Sequence, residues 1–168
     1  MDKLIPPISH ESLLEAISYN PLTGEFKWRK RERGRRFNKP PGSINNNGHL
    51  EIKINKFRYR AHQWAWFYVY GEWPERDIDH DNGIKTDNRI KNLRLATNAQ
   101  NSQNKGKTKS NTSGYKGVSK CKRTGKWRAQ IMVNLKAINL GVFACPELAH
   151  LVYAEHAAKL HGDFARTE

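Results

Sequence analysis

Asp79-His80, Asn92 and Asn101 are the residues whose types and spacing could do chemistry together. Hydrolysis of a phosphodiester needs a water deprotonated as it attacks, and positive charge to balance what builds on the phosphate and the leaving oxygen. An imidazole suits the first role, because an ordinary pKa near ~6.5 leaves His80 mostly neutral at neutral pH and able to accept a proton. Asp79 and Asn101 offer hard oxygen atoms, a set that suits one divalent ion, Mg²⁺ or Mn²⁺. It lacks the thiolates and multiple imidazoles that zinc usually receives. Taken singly, Asn92 and Asn101 read as turn or capping residues. Taken as a spaced set, the four point to metal-assisted hydrolysis. A calcium loop does not fit, because Ile84 and Ile90 stand where its obligatory Gly and bidentate Glu belong.

Such a site needs elements that converge. Residues 76–80 read as a short strand, followed by a polar loop of turn residues (Asp81, Asn82, Gly83, Thr86, Asp87, Asn88). Leu93 and Leu95 alternate as a second strand, and Thr97 is placed to cap a short helix over 98–103. Strand, loop, strand and helix would bring an aspartate, a histidine and a helix-borne asparagine to one side of a small metal site.

This run resembles the HNH endonucleases of the ββα-metal fold, in particular the phage-borne homing-type members. Their pattern is Asp-His, an Asn about a dozen positions on, then a His or Asn in the helix. Asp79-His80, Asn92 and Asn101 hold those places here, as an H-N-N variant. The resemblance implies that His80 is the general base, that Asp79 and Asn101 hold one divalent ion, and that Asn92 braces the loop. It also implies products with 5′-phosphate and 3′-hydroxyl ends.

Composition agrees with a polyanionic partner. The net charge is +14 and the pI is near 10.0, so nucleic acid comes before a membrane surface, for which no basic amphipathic helix with bulky apolar residues is evident; the resemblance implies that the nucleic acid is double-stranded DNA. No apolar run approaches the ~20 residues of a membrane span, and no signal-peptide pattern opens the chain. Cys121 and Cys145 are not at metal spacing and read as reduced thiols. The expected compartment is the cytoplasm, that of the host cell if the chain is phage-encoded.

Upstream of the motif, a helix is expected within residues 1–20, with Leu13, Leu14, Ala16 and Ile17 on its apolar side and Ser9 or Ser12 as cap. A strand over 25–28 follows, then the basic run 29–36. That run is either a solvated loop or a phosphate contact through Arg33, Arg35 and Arg36. Residues 50–54 and 57–60 read as a hairpin, and 61–70 as a helix apolar on more than one side. His62 in its first turn is either packed or a neighbour of the metal. Residues 1–103 are taken as one nuclease unit with a β-rich start. Residues 104–113, with no apolar residue, are taken as a basic linker.

Residues 114–168 form the second expected unit. Trp127, Ala129, Ile131 and Val133 alternate with Arg128, Gln130, Met132 and Asn134, the pattern of a strand with one buried face. Flanking strands fall at 115–119 and 138–143. From Pro146 a helix carries Ala149, Val152, Tyr153, Ala157 and Leu160 on one stripe, with His156 packed beside them. The fold class is therefore α+β: a ββα-metal unit, then a small three-stranded antiparallel sheet packed on one helix.

The second unit resembles the plant ethylene-response-factor (APETALA-type) DNA-binding domain, which also occurs fused to HNH nucleases. Tyr115-Lys116-Gly117-Val118, Lys126-Trp127 with Ala129 and Ile131, Leu140-Gly141 with Phe143, the helix from Glu147, and Gly162 carry that resemblance. It implies a sheet face that reads DNA, with Lys116 and Arg128 suited to that use. Ser119, Cys121, Gln130, Met132, Ala137 and Asn139 depart from the usual plant residues, so the plant target sequence does not carry over. Lys120, Lys122 and Arg123, with Gln130 on the sheet, complete the expected contacts; for the lysines and Arg123 solubility alone is the rival explanation.

The expected function is a metal-dependent DNA endonuclease. The alternative is a sequence-specific DNA-binding regulator with an inert nuclease unit. One site per chain serves either a nick by a monomer or a double cut by a dimer.

Overall fold

The computed structural model describes residues 6–30 and 38–167. Two compact units divide between Ala96 and Thr97. No helix among the described residues is long and apolar enough to cross a membrane.

In the first unit, α1 (His10–Ala16) is capped by Ser9, whose hydroxyl accepts from the Ser12 amide at 3.2 Å. It stops short of Ile17. That residue opens β1 (Ile17–Tyr19), which pairs antiparallel with β2 (Phe26–Trp28). Ile17, expected on the helix, instead joins a β ladder on its buried face, a setting that suits a β-branched side chain. Next come β3 (Ser43–Ile44), β4 (Leu50–Ile54) and β5 (Phe57–Arg60), a three-stranded antiparallel sheet in the order β3-β4-β5. Asn55 turns the β4–β5 hairpin with φ +54°, a conformation asparagine tolerates.

Helix α2 (Ala61–Tyr70) follows and ends where Gly71 takes φ +69° and returns its N–H to the Phe67 carbonyl. Trp64 at its centre is fully buried and donates its indole N–H to the Ile52 carbonyl at 3.0 Å. The helix is thereby fixed on β4 by packing and by a satisfied polar tip. Leu13, Ile17, Ile54, Phe67, Ile78 and Leu93 close the core around it. The unit finishes with β6 (Asp77–His80) and β7 (Leu93–Ala96), an antiparallel pair that sets Asp79 opposite Arg94 and His80 opposite Leu93.

The second unit opens with α3 (Asn98–Gln103). Thr97 accepts from the Gln100 amide, and the Gln100 side chain accepts from the Thr97 amide, a reciprocal capping box. Residues 107–115 are tied by local bonds, including Lys107 Nζ to the Gly114 carbonyl and Asn111 Nδ2 to the Tyr115 carbonyl. Then β8 (Val118–Lys120), β9 (Trp127–Val133) and β10 (Lys136–Phe143) form an antiparallel sheet in the order β10-β9-β8, with α4 (Pro146–His161) packed against it. The mixed helix and antiparallel-sheet class is the α+β expected.

On α4 the buried residues are Ala149, Tyr153, Ala157 and His161, while Leu160 is exposed. A stripe advancing by four drifts only ~40° per step, so it continues onto 161 rather than 160. His161 hydrogen-bonds the Met132 carbonyl at 3.0 Å. His156 lies half-buried, its Nδ1 2.8 Å from the Val152 carbonyl.

Candidate nuclease site

Asp79 and His80 occupy the last two positions of β6, and both are buried. The loop after them returns through a 3₁₀ turn at Ile90–Asn92 into β7. Asn92 sits at the neck of that loop. Its Oδ1 accepts from the Asn82 amide at 3.0 Å and its Nδ2 donates to the Asp87 carbonyl at 2.8 Å, while the Asp81 amide reaches its carbonyl at 2.9 Å. One amide side chain thus uses a donor and an acceptor to hold both limbs of the loop. Asp87 and Arg89 form a bidentate pair at the far end, and the guanidinium holds the Asp87 carboxyl well below its ordinary range.

Asp79 faces Arg94 across the ladder, its Oδ2 accepting from Nε at 3.0 Å and from Nη2 at 2.9 Å. The same guanidinium pairs through Nη1 with Asp81. Two carboxylates therefore converge on one positive charge. That oxygen set fits a hard divalent cation, and such an ion would compete with Arg94 for Asp79. Asn101 lies on α3, in the second unit, with its amide bonded to the Thr97 carbonyl.

Two histidines beside His80 change the chemistry read from the sequence alone. His62, in the first turn of α2, and His49, in the turn between β3 and β4, bring one ring nitrogen each to within 4.8 Å of one another and of one from His80. Ring centroids are 4.9 Å apart for His62–His80, 5.3 Å for His49–His62 and 5.8 Å for His49–His80. The expectation that the region lacks multiple imidazoles is therefore corrected. The three rings come from separate elements, and only the packing of α2 on the hairpin makes them neighbours. His62 is packed and at the site at once. Lys85 helps hold His49 in place, donating from Nζ to the Asn47 carbonyl at 2.8 Å and tying the 45–49 turn to the loop.

Burial keeps these rings neutral. It pushes His62 down to about 2, helped by His80, His49 and Arg60, and His49 down to about 4, helped by Arg60 and His80. His80 is lowered for the same first reason, against the opposing pull of Asn88 and Asp79.

The unfolded chain protonates these rings below about pH 6.5, whereas burial lowers all three in the folded unit, His62 furthest. Stability is then lost as pH falls below about 6.5, by on the order of 1 kcal/mol per pH unit for His62 alone. Thermal melts from pH 7.5 to 4.5 should show the first unit's midpoint dropping. A flat midpoint would mean that the imidazoles charge in place.

Asn88 is a further site residue that its turn-like sequence context concealed. It is 2% exposed, and its Oδ1 lies 3.5 Å from His80 Nε2, the outer limit of a hydrogen bond. Its Nδ2 donates to the Thr86 carbonyl, and its own carbonyl accepts from the Tyr19 hydroxyl at 2.6 Å. Only its position in the Asp87-Asn88-Arg89 run could have singled it out.

The expected DNA contacts divide by exposure. Ser119, Arg128 and Val142 are cross-strand neighbours on the sheet face away from α4, and Gln130 pairs with Asn139 further along β9. Arg128 is exposed there, with Nη2 3.8 Å from Cys121 Sγ, and Gln130 is half-buried. Lys120 is exposed, its Nζ 5.8 Å from the Trp127 ring centroid, and Lys122 and Arg123 are exposed in the β8–β9 turn. Lys116 is half-buried and donates to the Gln103 carbonyl; burial, then Arg166, lowers its pKa to about 8. Arg33, Arg35 and Arg36 lie outside the described residues.

A family profile described as HNH endonuclease matches residues 59–103, from β5 through α3. Protein 3.8 of Escherichia phage T7 is 36% identical over 108 residues, which are 64% of this chain and 88% of that protein. No solved structure gives a significant match.

Proposed function

Given that this chain belongs to the family of phage T7 Protein 3.8 and carries an HNH endonuclease domain at residues 59–103, we propose that it is a metal-dependent endonuclease of the homing type, acting on double-stranded DNA. The observation that carries the reading is the HNH match falling on the segment where Asp79-His80 ends β6 and Asn92 pins the loop that follows. Nuclease work is assigned to residues 1–103, connection to 104–113, and duplex binding to 114–168 as an APETALA-type domain.

His80 removes the proton from the attacking water. Asn88, with Oδ1 3.5 Å from His80 Nε2, helps orient the ring for that role. The hydroxide adds to phosphorus in line, the bond to the 3′ oxygen breaks, and that oxygen takes up a proton, giving 5′-phosphate and 3′-hydroxyl ends. Asp79 and Asn101 would hold one Mg²⁺ or Mn²⁺, which when bound supplies charge stabilisation to the phosphate and the leaving oxygen. Asn92 keeps the loop, and with it His80, in one geometry. In the second unit the exposed Arg128 and Gln130 serve the groove, and Lys120, Lys122 and Arg123 the phosphates, with Lys116 behind them. Arg33, Arg35 and Arg36 are assigned further phosphate contacts. Such contacts give affinity that falls steeply with salt.

The test is nicking of supercoiled plasmid with Mg²⁺ or Mn²⁺ and with chelator. Cutting only with the metal is expected. Burial lowers the His80 pKa below its ordinary 6.5, so the single-turnover rate should hold at pH 6.5 and fall only at lower pH, as the base protonates. A rate already halved at pH 7 would contradict this assignment of the base. One observation favours the second reading, a DNA-binding regulator with an inert nuclease unit: the Asp79 carboxylate is engaged by Arg94. Duplex binding without cutting under either metal would establish it.

A further inference from the structure

We propose that His49, His62 and His80 form a second cation site, selective for a borderline transition ion of the Zn²⁺ class, and that an ion held there silences cleavage by occupying His80. The second half rests on the function proposed above; the first does not. The geometry is that of a site assembled by the fold. Each ring arrives from a different element, and their nitrogens lie within 4.8 Å of one another. Tetrahedral zinc at about 2.0–2.1 Å from each nitrogen sets those nitrogens about 3.4 Å apart. Ring turns of about an ångström therefore close the set and leave a fourth position for water.

Like Nδ1 of His150 and His161, His49 Nδ1 is a buried ring nitrogen with no hydrogen bond among the described residues, so its lone pair is open to a ligand. The donor chemistry then selects the ion. Three imidazoles with no carboxylate among them favour zinc, cobalt, nickel or copper and discriminate against Mg²⁺ and Mn²⁺. The electrostatic surroundings are mixed: Arg60 and Lys85 oppose a dication, while Glu51, Asp79 and Asp87 favour it.

A hard ion on the Asp79 oxygens and a borderline ion on the imidazoles would therefore have opposite effects. The first supports the reaction. The second takes the lone pair that the attacking water needs.

The probe is ZnCl₂ with the full chain. Calorimetry in millimolar Mg²⁺ should show one Zn²⁺ per chain, with His49→Gln binding at least ~10-fold more weakly. In Mn²⁺-supported nicking, Zn²⁺ should suppress the wild type, and the concentration for half-suppression should rise by the same factor in His49→Gln. A Co²⁺-loaded wild-type chain, which needs no variant, should show the intense visible bands of four-coordinate nitrogen ligation. Unchanged Zn²⁺ affinity in His49→Gln, or only weak octahedral cobalt bands, would overturn the site. Zn²⁺ binding with undiminished nicking would overturn the inhibition. A chain that never nicks removes the nuclease reading, while calorimetry and cobalt spectra still decide the site.

Discussion

Replacing His80 by alanine leaves a protein that binds duplex DNA within a few-fold of the wild type and cuts it about 10²–10⁴-fold more slowly. The contacts assigned to binding lie in the second unit and the basic run, so the side chain lost at 80 removes little affinity. The reaction suffers because no other group in the loop is suited to take the proton. Asp79 and Asp81 are both held by Arg94, Asp87 is paired with Arg89, and Asn92 and Asn88 have no basic atom near neutral pH. His62 stays packed under the site, and its strongly lowered pKa makes it a poor base. Single-turnover nicking alongside fluorescence anisotropy with the same duplex separates the two quantities. Cutting that persists at the wild-type rate assigns the base elsewhere; loss of binding and cutting together would mean that His80 supports the fold.

The substitution is also a structural probe. His80 is 4% exposed, and its ring meets His62 and His49. Truncation at this position opens a cavity among rings that resist charge, and a loss on the order of 2–3 kcal/mol is expected for a buried ring cut back to a methyl. His80→Gln keeps part of the volume and removes the base, so equal loss of rate in both variants ties the effect to proton transfer rather than to collapse.

How much of this was legible in the sequence depends on how local each signal is. The run from 77 to 103 reads well because its alternation, turn residues and Thr97 cap act over a few residues each, and Thr97 does cap α3. The sheet of the second unit reads well for the same reason, since 127–133 buries Ala129 and Ile131 and exposes Arg128 and Met132. The imidazole cluster reads only in part: His62 reads as packed or as a neighbour of the metal, and His49 does not stand out. His49 stands in an Asn-rich turn whose sequence describes only its own hydrogen bonds to Asn45. It meets His80 only because β4 and α2 pack around Trp64. Asn88 is hidden similarly, because its burial depends on a bond from Tyr19 that spans most of the unit. Ile17 shows the converse. Its helix-like spacing with Leu13 gave way to pairing with Trp28 across a turn.

Gly117→Ala should destabilise the second unit on the order of 3 kcal/mol and take the duplex affinity with it. Gly117 has φ +74°, where a side chain is already strained by about 1–2 kcal/mol. A methyl there would lie 2.1 Å from Cδ2 and 2.3 Å from Cε2 of Tyr153, a ring buried between α4 and the sheet. Neither partner can yield cheaply. The Gly117 carbonyl accepts from the Gln130 amide at 2.9 Å, and Tyr153 anchors the stripe that runs from Ala149 to His161. Overpacking of this kind costs about 1–3 kcal/mol beyond the strain, against a domain stability of about 5–15 kcal/mol. Gly125→Ala is the matched control: φ is +68° there, but nothing lies within 4 Å of the added methyl, so only the strain is felt. Thermal unfolding of the full chain should show the second unit's transition lowered by about 10 °C or more in Gly117→Ala and by roughly half as much or less in Gly125→Ala. The first unit's transition should stay in place in both. Anisotropy on the duplex, read above the lowered midpoint, then tests the division of labour. Affinity that survives unfolding of the second unit would move DNA binding to the first unit and leave the APETALA-type assignment without support.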